Sequence, residues 1–164
     1  MGSEMCIRDR GVDGCGAPVF AAPLGNWARA FAVFSGSEKL SEMRYYACQK
    51  IRKSIAAKPT YIAGYNRACT AINAAYKEAI TVKTGAEGVY SASFHEWGLG
   101  AMVKARDGSK RASEVAIGAV IRALGYPVYS STNNFFSPKL KNWAGIEVGD
   151  ITLANFNLCD RQVI

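Results

Sequence analysis

The sequence predicts an α+β fold, with an antiparallel sheet covered by helices. Three observations predict it. Apolar residues first recur at helical spacing, over roughly residues 25–35, 40–57 and 67–79. The period then drops to two in "GVYSASFH", with Val89, Ser91, Ser93 and His95 on one side and Tyr90, Ala92 and Phe94 on the other. Helical spacing returns in "VAIGAVIRAL". Helices, antiparallel strands, a helix and a last strand, in that order, are the α+β pattern.

Residues 11–24 read as a glycine-rich loop running into "APVFAAPL". The first helix, 25–35, places Trp27, Ala30, Phe31 and Phe34 on one side. "SGSEKLSE" breaks it and starts another, with Ser37 or Ser41 as cap, because a serine hydroxyl can satisfy a free N–H of the first turn. This second helix runs to Ala57. Its apolar stripe is Leu40, Met43, Ala47, Ile51 and Ile55, with Glu42, Gln49, Lys50 and Lys53 elsewhere, and Pro59 ends it. The third helix, Arg67 to Ala79, puts Cys69, Ile72 and Tyr76 on one face. "EWG" is the turn of a β-hairpin whose second strand is "LGAMVKAR", and "DGS" closes it. Ser113 then caps the apolar helix, which stops at Gly125 with Pro127 beyond. "STNNFFSPK" reads as irregular, and "GIEVGDITLANF" as a final strand or hairpin. No stretch has the composition of a linker, so residues 11–164 are expected to belong to one domain.

A chain of 164 residues can bury a real core. Its net charge of +7 is concentrated in "KIRKSIAAK" and "KARDGSKR". No nucleic-acid fold motif accompanies the charge, so it reads as a solvated helix face and a turn, and no nucleic-acid partner is expected. No apolar run reaches the roughly 20 residues of a membrane-spanning helix. The start, "MGSEMCIRDR", lacks the apolar core of a signal peptide. It is similar to translated adapter sequence at the ends of metagenomic fragments, so residues 1–10 are expected to be a non-native leader. None of the five cysteines forms a C-x-x-C pair or a zinc spacing. Reduced thiols in a cytoplasmic protein fit this usage.

Three places carry candidate chemistry. In "VKTGAEG", Lys83 lies between a helix and a strand with two glycines close behind. A lysine held where the chain enters a sheet can serve a nucleophile as base or partner, and the letters echo a K-T-G motif of serine β-lactamases. A plain surface lysine is the competing reading. In "IAGYNRACTAI", Arg67 is a possible carboxylate clamp, and Cys69 stands in a first helical turn, where a thiolate is favoured. Alternatively Cys69 is a small buried hydrophobe. In "GVDGCGAP", Cys15 is either a thiol in a pocket wall with Asp13 orienting a neighbour, or part of a glycine-rich turn. His95 is read as a hairpin-end residue without catalytic work. Ser54 and Lys58 lie four apart, whereas an S-x-x-K nucleophile motif needs three, and no lysine here has a serine three residues before it.

Taken in order, "GVDGCGAPVFAAPL", "IAGYNRACTAI", "VKTGAEGVYSASF", "GLGAMVKARDGSKRA" and "NWAGIEVGDITLA" resemble the L-asparaginase II family, the rhizobial type unrelated to the Thr-nucleophile asparaginases. The resemblance implies part of a fold similar to serine β-lactamases and glutaminases. It implies hydrolysis of L-asparagine to L-aspartate and ammonia through a serine acyl-enzyme. Lys83 matches the family lysine that partners a second active-site serine. Cys15 matches a cysteine that helps hold zinc near the substrate. Cys69 matches another cysteine of the active-site region, Asp13 a supporting carboxylate, and Arg67 falls in the same motif. The family's S-x-x-K nucleophile, second serine and other zinc ligands belong to an N-terminal half. This chain is therefore expected to be a C-terminal fragment, inactive alone, of a parent that is a homodimer. A non-catalytic thiol or metal-binding module, with Cys15 and Cys69 as ligands, is the alternative.

Overall fold

A computed structural model describes residues 10–36 and 40–154. The cap candidate Ser37 and the end of "ITLANF" lie outside the described residues. The architecture is α+β. Two short strands, β1 (Arg10–Val12) and β2 (Pro18–Phe20), form a hairpin. Four helices follow: α1 (Leu24–Phe34), α2 (Glu42–Ala57), the single turn α3 (Thr60–Ala63) and α4 (Ala68–Tyr76). The central antiparallel sheet then runs in sequence order, as β3 (Ile80–Thr84), β4 (Val89–Phe94) and β5 (Leu99–Lys104). Helices α5 (Lys110–Ala123) and α6 (Ser130–Phe136) and a last hairpin, β6 (Lys139–Lys141) with β7 (Glu147–Asp150), complete the chain.

The core lies where α4, α5 and α6 meet the central sheet. Ile72, Ile80, Val82, Tyr90, Phe94, Ile117, Ile121 and Phe136 form one buried cluster there. Tyr90, Ala92 and Phe94, expected on one side of their strand, are all fully buried in it. Ser91 and Ser93 are buried on the other side, where Ser93 Oγ donates to the carbonyl of Phe31 in α1. Both faces of β4 are thus covered, which explains a strand of such small side chains.

Several expectations change. The third helix stops at Tyr76 because Lys77 adopts φ 48°, outside the helical region. "ITVKT" then becomes a strand, as its β-branched residues favour. Helix α5 begins one turn before the expected cap. Ser109 is its N-cap residue, and Ser113 is a buried helical residue whose Oγ donates back to the Lys110 carbonyl. Gly125 does end that helix, with φ +83°. "SSTNNFF" is helical, with Thr132 and Phe136 buried. In the apolar stripe of α2, Met43 is 83% and Ile51 50% exposed, while Ile55 is partly buried. The same helix instead turns Arg52 inward, where its guanidinium donates to the Ser35 carbonyl.

His95 sits at the hairpin end, as expected, with Nδ1 on the Glu78 carbonyl. A carbonyl only accepts, so Nδ1 carries the hydrogen and Nε2, buried without a partner, is the bare nitrogen. Burial lowers the His95 pKa below its ordinary value, against the raising effect of the Glu78 carbonyl. In the window from the unfolded value of about 6.5 down to that lowered value, the unfolded chain binds the extra proton. Stability is therefore complete above that window and falls as pH drops through it. Urea midpoints measured from pH 7.5 to 5 should fall, and His95→Gln should flatten that part of the profile.

Candidate active site

The residues that carry chemistry gather at the end of β3. Cys69 is the second residue of α4, near the helix end where free N–H groups leave partial positive charge. Its side chain is buried, 1% exposed. The Thr84 N–H donates to Cys69 Sγ at 3.1 Å, and Tyr90 Oη lies 3.2 Å from the same sulfur. Cys69 therefore ties together α4, β3 and β4. The Tyr90 phenol is held well above its ordinary pKa, first by burial and then by the Cys69 thiol beside it. It remains a neutral hydroxyl at any working pH.

Lys83 precedes Thr84 and is exposed. Its ammonium donates to the Thr84 carbonyl at 2.7 Å, and its own carbonyl accepts from Ser91 Oγ at 2.9 Å. The residue is exposed on the sheet margin. Arg67 is the N-cap residue of α4, in extended backbone and exposed, with no ion pair among the described residues. Cys69 thus reaches the peptide that follows Lys83, while the Lys83 side chain, paired in register with Ser91, lies on the opposite face of β3 from Thr84 and Tyr90.

Asp13 and Cys15 stand apart from this cluster, in the β1–β2 turn. The Asp13 carboxylate accepts from the Gly14 N–H at 2.7 Å, and the Asp13 N–H donates to the Ala17 carbonyl. Cys15 is exposed and free. The carboxylate shapes its own turn, and no hydrogen bond joins it to the Lys83 cluster among the described residues.

Sequence reasoning passed over Asn73 and Tyr90 as site residues. Asn73 is fully buried, with Nδ2 donating to the Val82 carbonyl at 3.0 Å and Oδ1 accepting from the Val82 N–H at 2.9 Å. The available signal was its position four residues after Cys69, on the same helix face. Among the described residues, no serine hydroxyl is hydrogen-bonded to a lysine amine: Ser54 Oγ donates to the Lys50 carbonyl, and Ser91 to the Lys83 backbone. Among the described residues, no group of three His, Cys, Asp or Glu side chains stands together to hold a metal ion. No described helix is long and apolar enough to cross a membrane.

A family model for L-asparaginase II matches residues 2–153, a span that contains every residue named above. No match to a curated protein is found.

Proposed function

The chain belongs to the L-asparaginase II family, and from that premise we propose that it supplies the lysine-bearing part of a site that hydrolyses L-asparagine to L-aspartate and ammonia. The observation that carries the reading is the family match across the cluster on β3, where Lys83 presents an accessible amine. In this reading a serine hydroxyl, its proton passed toward a lysine, attacks the side-chain carboxamide carbon. The new C–O bond forms, the C–N bond breaks, and the amide nitrogen leaves as ammonia after taking up a proton. Water then cleaves the ester and releases aspartate. Lys83 works as proton partner of a serine. In the same reading Arg67, exposed and without an ion pair among the described residues, attracts the substrate carboxylate.

The nucleophile comes from outside the described residues, since none of their serines engages a lysine amine. Zinc belongs to the same reading only in part. Cys15 supplies one soft ligand, with Asp13 supporting the turn that presents it, and the described residues offer no group of three ligands around it. The described residues do not build a closed zinc site by themselves.

The test is ammonia release from L-asparagine by the purified chain. The reading predicts no release above buffer. Hydrolysis by this chain alone would show that its own residues supply the nucleophile.

A further inference from the structure

The edge of β3 is finished by side chains of α4. In the antiparallel ladder, the Gly85 N–H donates to Val89 and the His95 N–H to Ala79. Residues of that phase, Lys83 and Ser91 among them, face each other across the ladder. Val82 and Thr84, one residue to either side of Lys83, therefore turn their N–H groups to the outer edge. An open edge of this kind normally needs covering. Here Asn73 takes both backbone groups of Val82, and Cys69 takes the Thr84 N–H. The spacings agree, because four helical residues rise about 6 Å and two strand residues about 6.6 Å.

We infer that Cys69 and Asn73 are positioning residues for Lys83: a two-rung side-chain ladder from α4 that locks the backbone on both sides of the lysine and so fixes where its amine stands. The peptide that follows Lys83 is clamped at both ends. Its carbonyl accepts from Ser91 Oγ, and its N–H donates to Cys69 Sγ. The next carbonyl, that of Thr84, then points where the Lys83 ammonium docks at 2.7 Å. Tyr90 Oη, neutral and buried against the sulfur, keeps Cys69 from turning away. Cys69 thus acts through Lys83 and takes no part in bond-making. The value of this ladder to amide hydrolysis rests on the function proposed above, while its effect on the Lys83 amine does not.

The experiment is pulsed acetylation of the whole chain with an amine-selective reagent, followed by peptide mapping. Lys53 on α2 and Lys58, which caps its end, serve as internal controls. Cys69→Ala removes the acceptor of the Thr84 N–H and should raise the Lys83 rate about fivefold over the controls, the change in free population that one hydrogen bond supports. Cys69→Ser keeps an oxygen acceptor and should stay within about twofold of the parent chain. Ser91→Ala loosens the other end of the same peptide and should also raise Lys83 selectively, which keeps the test open if Cys69→Ala does not fold. A general loss of stability would raise all lysines together. The inference is overturned if Lys83 follows Lys53 and Lys58 in these variants, or if Cys69→Ser behaves like Cys69→Ala. No asparagine turnover enters the readout, so a failure here is distinct from a failure of the asparaginase reading.

Discussion

Asn73→Ala is expected to destabilise the chain by about 4 kcal/mol, since it strands two buried backbone groups at about 1–3 kcal/mol each. Asn73 is fully buried in the middle of α4, and its amide meets the Val82 N–H and carbonyl together. No protein group replaces it, because the ladder partner of Val82 is non-hydrogen-bonded in this register. Removing the amide also leaves a small cavity against β3. Chemical denaturation should show a lower midpoint with an unchanged slope. A shift below about 0.5 kcal/mol, the range of an ordinary surface change, would mean that Asn73 does not hold the edge.

Gly100→Ala is expected to cost about 3 kcal/mol or more, at the upper end of overpacking effects. Helix α1 lies directly on the backbone of β5 at this glycine. A Cβ there would stand 2.0 Å from the Ala28 carbonyl oxygen and 2.3 Å from the Ala32 nitrogen. These are main-chain atoms of the helix, so no side chain can swing aside. The helix must lift off the sheet, and the bond from Ser93 Oγ to the Phe31 carbonyl goes with it. Limited proteolysis should cut within residues 24–34 faster in the variant than in the parent chain. An unchanged denaturation midpoint would contradict this packing.

The hairpin of β4 and β5 was legible because alternation is strict there and glycines bracket it. Helix α5 was legible from its apolar period, but its start was misplaced. Only Glu114 separates Ser113 from the apolar run, and Ser109 stands a turn earlier, before Lys110 and Arg111, so the run itself points to the later serine, while the Ser109 N–H donates to the Asp107 carboxylate. Strand β3 escaped because five residues between a helix and a turn show no measurable period. The stripe of α2 was legible as a pattern, but its exposure was not. Spacing shows that apolar residues share a side, not what covers that side.

At the site, Lys83 and Cys69 were legible as motif residues on an otherwise helix-to-strand passage. Their connection was not, since it runs through the Thr84 N–H, a backbone group with no letter of its own. Asn73 was missed for a related reason. An asparagine inside a helical pattern reads only as a weak helix former, and its value lies in reaching a neighbouring strand. Asp13 and Cys15 were legible as a turn, and the structure adds that this turn is exposed and held by its own carboxylate.

The most direct test of the central proposal is a mixing experiment. The purified chain is combined with a separately expressed amino-terminal half of an L-asparaginase II protein that carries the S-x-x-K motif, and ammonia release from L-asparagine is followed. The account predicts release from the mixture and from neither part alone, with Lys83→Ala in this chain lowering the rate by about 100-fold or more, as loss of a proton-transfer group does. A mixture that hydrolyses asparagine equally fast with Lys83→Ala would contradict it.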